Sequence, residues 1–387
     1  MEISGRYKIG FIIEQALGHI THGQNLQQNI ARDSEIEAYW GLPARPTNAL
    51  ARRIPVYKTN WTLQVGWQTR QSLAGFRRQA RLDALFFHTQ VAAVLAQDWM
   101  RRIPSVVSLD ATPEQYDSLG QTYAHQRGPE WLESQKVRLN RDCFRAAKQL
   151  VTWSAWAKQG LVDRYEVPPE KIEVIPPGVN IREWTPPTRA VEQSAGLPAS
   201  ELVVRILFVG GDFKRKGGQI LLEAFHSLRQ EIAQSAKCAD RSIELHLVTR
   251  DPIPVEPGLF VYNHMQPNSP ELKALFFKSH IFCLPTYGDC LPMVLAEAGA
   301  AGLPLVSTRV GAIPEIVRDG ETGLLIPIGD PTALAVALHR LVCDPVLRVR
   351  MGACAAEVAA RNHDAEYNAA HLLGLLKQTA RETVSSE

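Results

Sequence analysis

The strongest constraint in this sequence is an alternation of two periods. Short apolar runs rich in β-branched and aromatic residues (Lys8–Ile13, Ala84–His88, Ser105–Leu109, Leu150–Trp153 and Lys171–Ile175) are separated by stretches with helical periodicity such as Trp131–Lys148 and Ala157–Tyr165. Runs this short and this uniformly apolar fit strands buried on both faces, and strands joined through helices form parallel sheets. The pattern stops at Arg182–Ser200, where Pro186, Pro187, Gly196 and Pro198 fall without apolar periodicity, and then it restarts. Val203–Val209, Glu244–Thr249, Leu259–Tyr262, His280–Pro285, Leu303–Ser307 and Gly323–Pro327 read as a second set of strands. Helices are expected over Gln219–Glu231, Asp330–Val342, Pro345–Ala360 and Asp364–Arg381. A chain of 387 residues exceeds what one ordinary core organises, so two α/β domains joined by a linker follow. In such sheets ligands bind beyond the carboxyl ends of the strands.

Composition narrows the function. With 45% apolar and 21% charged residues the chain is globular, not disordered or fibrous. A net charge of +2 gives no global case for nucleic acid, and none is expected as a partner. No uncharged apolar run approaches the roughly 18–20 residues that span a bilayer, and the N-terminal apolar stretch runs straight into Glu14, unlike a secretory signal. The six cysteines, Cys143, Cys238, Cys283, Cys290, Cys343 and Cys354, show no CxxC pairing. The simplest expectation is thiols serving as small core residues in a reducing cytoplasm, without a structural zinc.

Five stretches carry polar residues where chemistry is expected. In Leu284–Pro327 a strand ends at Pro285, a Gly288-Asp289 turn opens a helix whose first turn takes in Pro292, and Glu297 follows Asp289 by eight residues. Free amides at a helix start attract anions, and a deep carboxylate suits vicinal hydroxyls; the bland alternative is a Gly/Ala-rich helix that merely packs well. In Phe208–Gly218 a strand ends in Gly210 and Gly211, followed by Lys214, Arg215, Lys216 and two more glycines. Basic side chains on a permissive loop fit a diphosphate, or else form a solvated turn. The loop after the first strand holds Gly18, His19, Thr21, His22 and Gly23, which either approach a ligand or pack. Asp110 sits at the carboxyl end of a strand, facing a ligand or capping a helix. IPPGVN, Ile175–Asn180, ends another strand before the linker.

As a set, these motifs resemble the retaining glycosyltransferases of family 4, whose members have the GT-B fold: α/β, with two Rossmann-like domains facing across a central cleft. The resemblance covers most of residues 150–345 and is carried by VGG…KRKGG, the Asp289–Thr308 block, VGAIPEIVRDGETGLLIP and IPPGVN; the N-terminal half is similar mainly in layout. It implies an acceptor-binding domain over 1–182, a linker over 183–200, a donor-binding domain over 201–360, and a helix over 361–387 that packs back on the N-terminal domain. It implies a hexosyltransferase-type enzyme that moves a sugar from a nucleoside-diphosphate sugar, with UDP or GDP, to a glycan or lipid-linked hydroxyl, with retention, as in polysaccharide or glycolipid biosynthesis. No metal and no other cofactor is expected, in keeping with the absence of any DxD.

By the same resemblance Glu297 holds the ribose hydroxyls, and Lys216 binds the diphosphate. Asp289 stands where the family normally has the first Glu of its E-x7-E motif and contacts the donor sugar. The backbone of Cys290, Leu291 and Met293 approaches sugar and phosphate. Asp289, Arg215, Lys216 and Asp110 are therefore the catalytic candidates; Glu297, Gly18, His19, Gly210, Gly211, Cys290, Leu291, Met293 and Arg250 are the donor-binding ones. Three departures stand out. Asp289 is one methylene shorter than Glu, the family's usual Arg after Val-Gly is Gly211, with Arg215 the expected replacement, and no His stands at Leu109–Asp110.

Charge is divided unevenly. Residues 1–182 carry 23 Lys and Arg against 17 Asp and Glu, and the remainder 19 against 23. The excess concentrates in residues 45–102, where Leu73, Phe76 and Ala80 recur at helical spacing beside Arg70, Arg77, Arg78 and Arg81. This face is expected either to touch an anionic membrane, giving a cytoplasmic protein with peripheral contact at the inner membrane, or to be a solvated helix with its apolar stripe in the core. Two rival functions remain: a GT-B scaffold with little catalysis that binds sugar nucleotides, and a nucleotide-sugar epimerase.

Overall fold

The computed structural model describes residues 6–16, 19–44, 60–119, 128–187, 203–235, 238 and 240–384. The chain divides into two compact units, Met1–Ser118 with His125–Gly178 and Ala365–Glu387, and Val179–Asp364 with Leu119–Ala124. Each is built on a six-stranded parallel sheet.

The first sheet comprises β1 (Tyr7–Ile13), β2 (Ile36–Gly41), β3 (Ala84–His88), β4 (Ser105–Leu109), β5 (Gln149–Thr152) and β6 (Ile172–Val174), in the order β2-β1-β3-β4-β5-β6. Every residue of β3 and β4 is buried, as a strand covered on both faces requires. On one face lie Val65, Leu73 and Phe76 of the helix Trp61–Gln79 and Cys143 and Phe144 of the helix Glu130–Ala146, against Leu85, Phe87 and Val107. On the other, Leu26 and Ile30 join Leu372, Leu373, Leu376 and Ala380 of the helix Ala365–Val384, against Ile9, Phe11, Phe86 and Val106. Asn60 caps the helix Trp61–Gln79 by accepting a hydrogen bond from Leu63 N at 3.1 Å. The stripe of Leu73 and Phe76 is thus core, while Trp67, 55% exposed, and the basic residues Arg70, Arg77 and Arg78 face outward. β2 has no counterpart in the sequence reading: Ile36–Gly41 is an edge strand with four half-buried residues and no β-branched run.

The second sheet comprises β7 (Val203–Val209), β8 (Ser242–Val248), β9 (Leu259–Tyr262), β10 (Ile281–Leu284), β11 (Leu305–Thr308) and β12 (Gly323–Ile326), in the order β12-β11-β10-β7-β8-β9. This is the doubly wound order of dinucleotide-binding sheets. Two α/β units of this kind are the GT-B architecture. Trp184, inside the segment read as linker, is 1% exposed and packs edge-to-face on Phe276 with centroids 5.0 Å apart. The linker residues 188–200 lie outside the described ones.

One expectation is corrected. The cysteines are not all thiols: Cys238, beyond the helix Gly218–Gln234, is disulfide-bonded to Cys343, which ends the helix Pro331–Cys343. The chain brings together residues 105 apart, so no local spacing motif marked them. Cys143, Cys283 and Cys290 are buried thiols, as expected. Among the described residues no helix is long and apolar enough to cross a membrane.

Candidate functional site

Strand order locates the sites. In the second sheet the direction of chain progression reverses between β7 and β10, and such a switch point opens a crevice at the carboxyl ends of the strands. Gly210 and Gly211 follow β7, and Thr286–Asp289 follow β10. Gly217 joins the two segments. Its φ is +78°, and a Cβ there would lie 1.9 Å from the Pro285 carbonyl oxygen, so only glycine lets the loop meet the end of β10.

That approach brings the charges together. Lys216 Nζ is ion-paired with Asp289 Oδ2, and Arg215 Nη1 lies 3.7 Å from the same oxygen. Arg215 also donates to the Gly288 carbonyl at 2.9 Å and to Asp212 Oδ2 at 3.3 Å. Asp289 is held from behind by Gly311, at φ +54°, where a Cβ would stand 2.1 Å from the Asp289 carbonyl oxygen. The Cys290 carbonyl accepts from Ala312 N at 2.8 Å.

The helix Met293–Ala300 begins later than the sequence reading placed it, with Pro292 flanking it at φ −73° and ψ 108°. Asp289 therefore sits in a docked loop before the helix, and Glu297 lies about one turn into it. Cys290 and Leu291 are buried and Met293 is half-buried along this loop. Glu297 is half-buried, and its removal from water pushes its carboxyl up to about 7, with the charge of Lys273 partly opposing the shift. Lys273 itself pairs with Glu183 at 2.5 Å.

Arg250, exposed after β8, has its Nε 3.6 Å from where a Cβ of Gly211 would be. The guanidinium beside Gly211 is therefore that of Arg250; Arg215 is turned to Asp212, Gly288 and Asp289.

In the first sheet the reversal lies between β1 and β3. The register pairs Ile13 with His88 and His88 with Ser108, so the ends of β1, β3 and β4 are level. His19 stands over this edge. Its Nδ1 is 2.9 Å from Glu14 Oε1 and its Nε2 is 3.5 Å from Asp110 Oδ2. Burial disfavours the imidazolium, but hydrogen bonds to Asp110 and Glu14 outweigh it and raise His19 to about 10. Burial likewise opposes ionisation of Asp110, yet the His19 contact, Tyr116 and the amide of Ala111 at 3.0 Å hold it below the usual carboxylate range. Trp61 Nε1 donates to Glu14 Oε2 at 3.3 Å.

His88 stacks on Trp153, centroids 4.9 Å apart at 8°, and meets the Ser108 hydroxyl at 3.2 Å. His22 lies 5.0 Å from both rings. Burial, then the His19 charge, lowers His22 to about 3 and His88 well below its usual value. The arrangement is one buried imidazolium between two carboxylates, flanked by two neutral imidazoles. His19 therefore supplies an imidazole at Leu109–Asp110, where the sequence has no His; Gly18 lies outside the described residues. Glu14, Trp61, His88, Tyr116 and Trp153 had not been singled out. The available signal was a polar residue at the carboxyl end of an apolar strand, as in Glu14 and His88.

Known proteins match both units. Residues 32–183 match the family model for glycosyltransferase family 4, and residues 203–344 match that for glycosyl transferases group 1. The chain is similar to D-inositol 3-phosphate glycosyltransferase of Corynebacterium kroppenstedtii, with 31% identity over 61% of this chain and 54% of the relative. It is also similar to the enzyme of that name from Corynebacterium glutamicum, with 32% identity over 59% and 57%. The matches span about half the length of these curated relatives. Among solved structures, sucrose-phosphate synthase from Thermosynechococcus elongatus superposes with a TM-score of 0.71 at 17% identity, covering 99% of this chain and all of that one. HepE from Anabaena in complex with UDP and glucose gives 0.64 at 16%, covering 96% and 100%. With two doubly wound sheets, a family 4 match on the first half and a group 1 match on the second, the chain belongs to the GT-B glycosyltransferases.

Proposed function

We propose that this protein is a hexosyltransferase that moves a sugar from a nucleoside-diphosphate sugar to an acceptor hydroxyl, with retention of configuration and without a metal. The observation that carries the reading is the convergence of Lys216, Arg215 and Asp289 at the switch point of the second sheet. A diphosphate there replaces Asp289 as the partner of Lys216 and frees the carboxylate for sugar hydroxyls. Charge grows on the leaving nucleoside diphosphate as the glycosidic bond breaks. Lys216, Arg215 and, beside Gly211, Arg250 are the cations placed to stabilise it, the work a metal does elsewhere. Glu297, raised by burial, gains hydrogen bonds from ribose hydroxyls. Retention follows from the family resemblance, and the leaving phosphate takes the acceptor proton on that route.

In the first unit His19, Glu14 and Asp110 form the polar end of the sheet on which acceptor or sugar hydroxyls are read. The relatives' name makes an inositol phosphate the first acceptor to try, ahead of glycans and lipid-linked sugars. The outward basic residues Arg77 and Arg78 support peripheral contact with an anionic membrane through charge, since Leu73 and Phe76 are used in the core.

Calorimetric titration with UDP and GDP, followed by turnover of the matching hexose donors, tests the reading. Binding of one nucleoside diphosphate together with transfer or slow hydrolysis of its sugar supports it. Tight binding with neither activity leaves a sugar-nucleotide scaffold instead, and no binding of either removes the donor site.

A further inference from the structure

We propose a second site, on the edge of the second unit: Cys238, Cys343 and His339 bind one soft divalent cation of the zinc type when the cysteines are reduced. His339 and Cys343 lie four residues apart on the helix Pro331–Cys343, so both side chains leave the same face. Cys238 approaches from beyond the helix Gly218–Gln234. One donor atom from each of the three residues lies within 4.8 Å of the others. His339 Nε2 is 3.5 Å from Cys343 Sγ. A tetrahedral zinc with Zn–S near 2.3 Å and Zn–N near 2.0–2.1 Å needs an S–N edge of about 3.5 Å and an S–S edge of about 3.8 Å. The S–N edge is therefore already formed. The cysteine Cα atoms are 5.4 Å apart, so the sulfurs can part by side-chain rotation.

Two guanidinium groups stand at the end of the helix that carries Cys343. Arg348 Nη1 donates to the Leu341 and Val342 carbonyls at 2.8 Å each, and Arg241 Nη1 donates to the Val342 carbonyl. These contacts satisfy the last helical carbonyls and place two guanidinium charges at the helix end that carries Cys343. Cys238 is buried while Cys343 and His339 are half-buried, which leaves a fourth coordination position for water. The site is independent of the donor site: Lys216 lies before the helix Gly218–Gln234 and Cys238 beyond its other end, about 25 Å along its axis.

The redox step balances with a dithiol as reductant. Its thiolate attacks one sulfur and the disulfide bond breaks. A second attack within the reductant releases it as its own disulfide, and Cys238 and Cys343 gain two electrons and two protons. On metal binding both protons are lost, two thiolates and the neutral His339 Nε2 become ligands, and the two negative charges match the dication. The unit is then tied at the same point by a covalent bond when oxidised and by the metal when reduced.

Untagged full-length protein, reduced with a phosphine and then freed of it, is titrated with Co2+. The expected result is one equivalent bound with a thiolate-to-cobalt absorption in the near ultraviolet, displaced by Zn2+. The band is absent from the oxidised protein and from Cys238→Ser, and unchanged in Cys354→Ser. His339→Ala keeps thiolate absorption but weakens cobalt affinity by about tenfold or more. Zn2+ also raises the Tm of the reduced wild type and not that of the oxidised protein, a readout that holds if Cys238→Ser folds poorly. No band in the reduced wild type, or a band in Cys238→Ser, or unaltered affinity in His339→Ala, overturns the proposal.

Discussion

Lys216 and Asp289, 73 residues apart in sequence, meet as an ion pair whose side chains are only 14% and 12% exposed. The pair exists because a glycine loop after β7 touches the end of β10. Lys216→Ala is expected to weaken nucleoside-diphosphate affinity by about tenfold to a hundredfold, the worth of one charged hydrogen bond. Affinity for the bare nucleoside stays unchanged. Calorimetry on both ligands checks this, and equal losses for the two would place Lys216 elsewhere than at the phosphates.

Glu297 gives a prediction in which stability and binding move in opposite directions. Its carboxyl titrates at 4.5 when exposed and at about 7 in the fold. Between these values the folded state holds a proton that the unfolded chain has released, so stability falls as pH rises from 4.5 to 7 and the full loss persists above 7. Glu297→Gln removes the penalty. At pH 8 the variant is expected to be more stable by on the order of 1–3 kcal/mol, with the gap closing toward pH 4.5. It should also lose the thermal shift given by UDP or GDP. Urea denaturation at the two pH values, with and without nucleotide, measures both effects.

The opposite sign applies at the other end of the pH scale. His19 is raised from 6.5 to about 10, so its contribution is complete below 6.5 and drains away as pH climbs through 10. His19→Gln leaves Glu14 and Asp110 facing each other without a cation. The expected cost is about 3–5 kcal/mol near pH 6. The difference from wild type shrinks steadily from about pH 6.5 to pH 10, which denaturation at pH 6, 8 and 9.5 would reveal; a constant difference would mean that the imidazole is neutral.

Vesicle sedimentation addresses the basic face. Wild type is expected to pellet with anionic vesicles and not with neutral ones, and Arg77→Glu with Arg78→Glu to stay in the supernatant. Because both side chains are exposed, the double variant keeps the Tm of the parent. Equal recovery with both lipids ends the idea.

A pair of glycine substitutions separates backbone strain from collision. Gly320 has φ +79° with nothing within 4 Å of a built Cβ, whereas Gly217 has φ +78° with a backbone oxygen at 1.9 Å. Gly320→Ala is expected to cost about 1–2 kcal/mol from the left-handed conformation alone. Gly217→Ala costs more and displaces Lys216. Nucleotide titration of the two variants distinguishes them, since only the second should bind weakly.

The strands β10 and β11 were legible because they are short and buried along their whole length, so burial and sequence pattern coincide. β2 was not, because Ile36–Gly41 lies at an edge where half-exposed Glu37, Tyr39 and Trp40 break the run. Asp289 and Lys216 could be named from their motifs, but their pairing could not, since it depends on which strand ends meet at the switch point. The same holds for His19 and Asp110, which are 91 residues apart, and for Cys238 and Cys343. That Arg250 stands beside Gly211 is likewise a neighbourhood in space that neither local segment marks.

The helix Ala365–Val384 fills one face of the first sheet with Leu372, Leu373, Leu376 and Ala380. This has a consequence for synthesis on the ribosome. Residues 179–364 emerge as a contiguous block and can close their core as soon as they are translated. The first unit, although made earlier, must wait with Ile9, Phe11 and Phe86 only partly covered, by Leu26 and Ile30, until residue 380 appears, so the part translated first is the last to be finished.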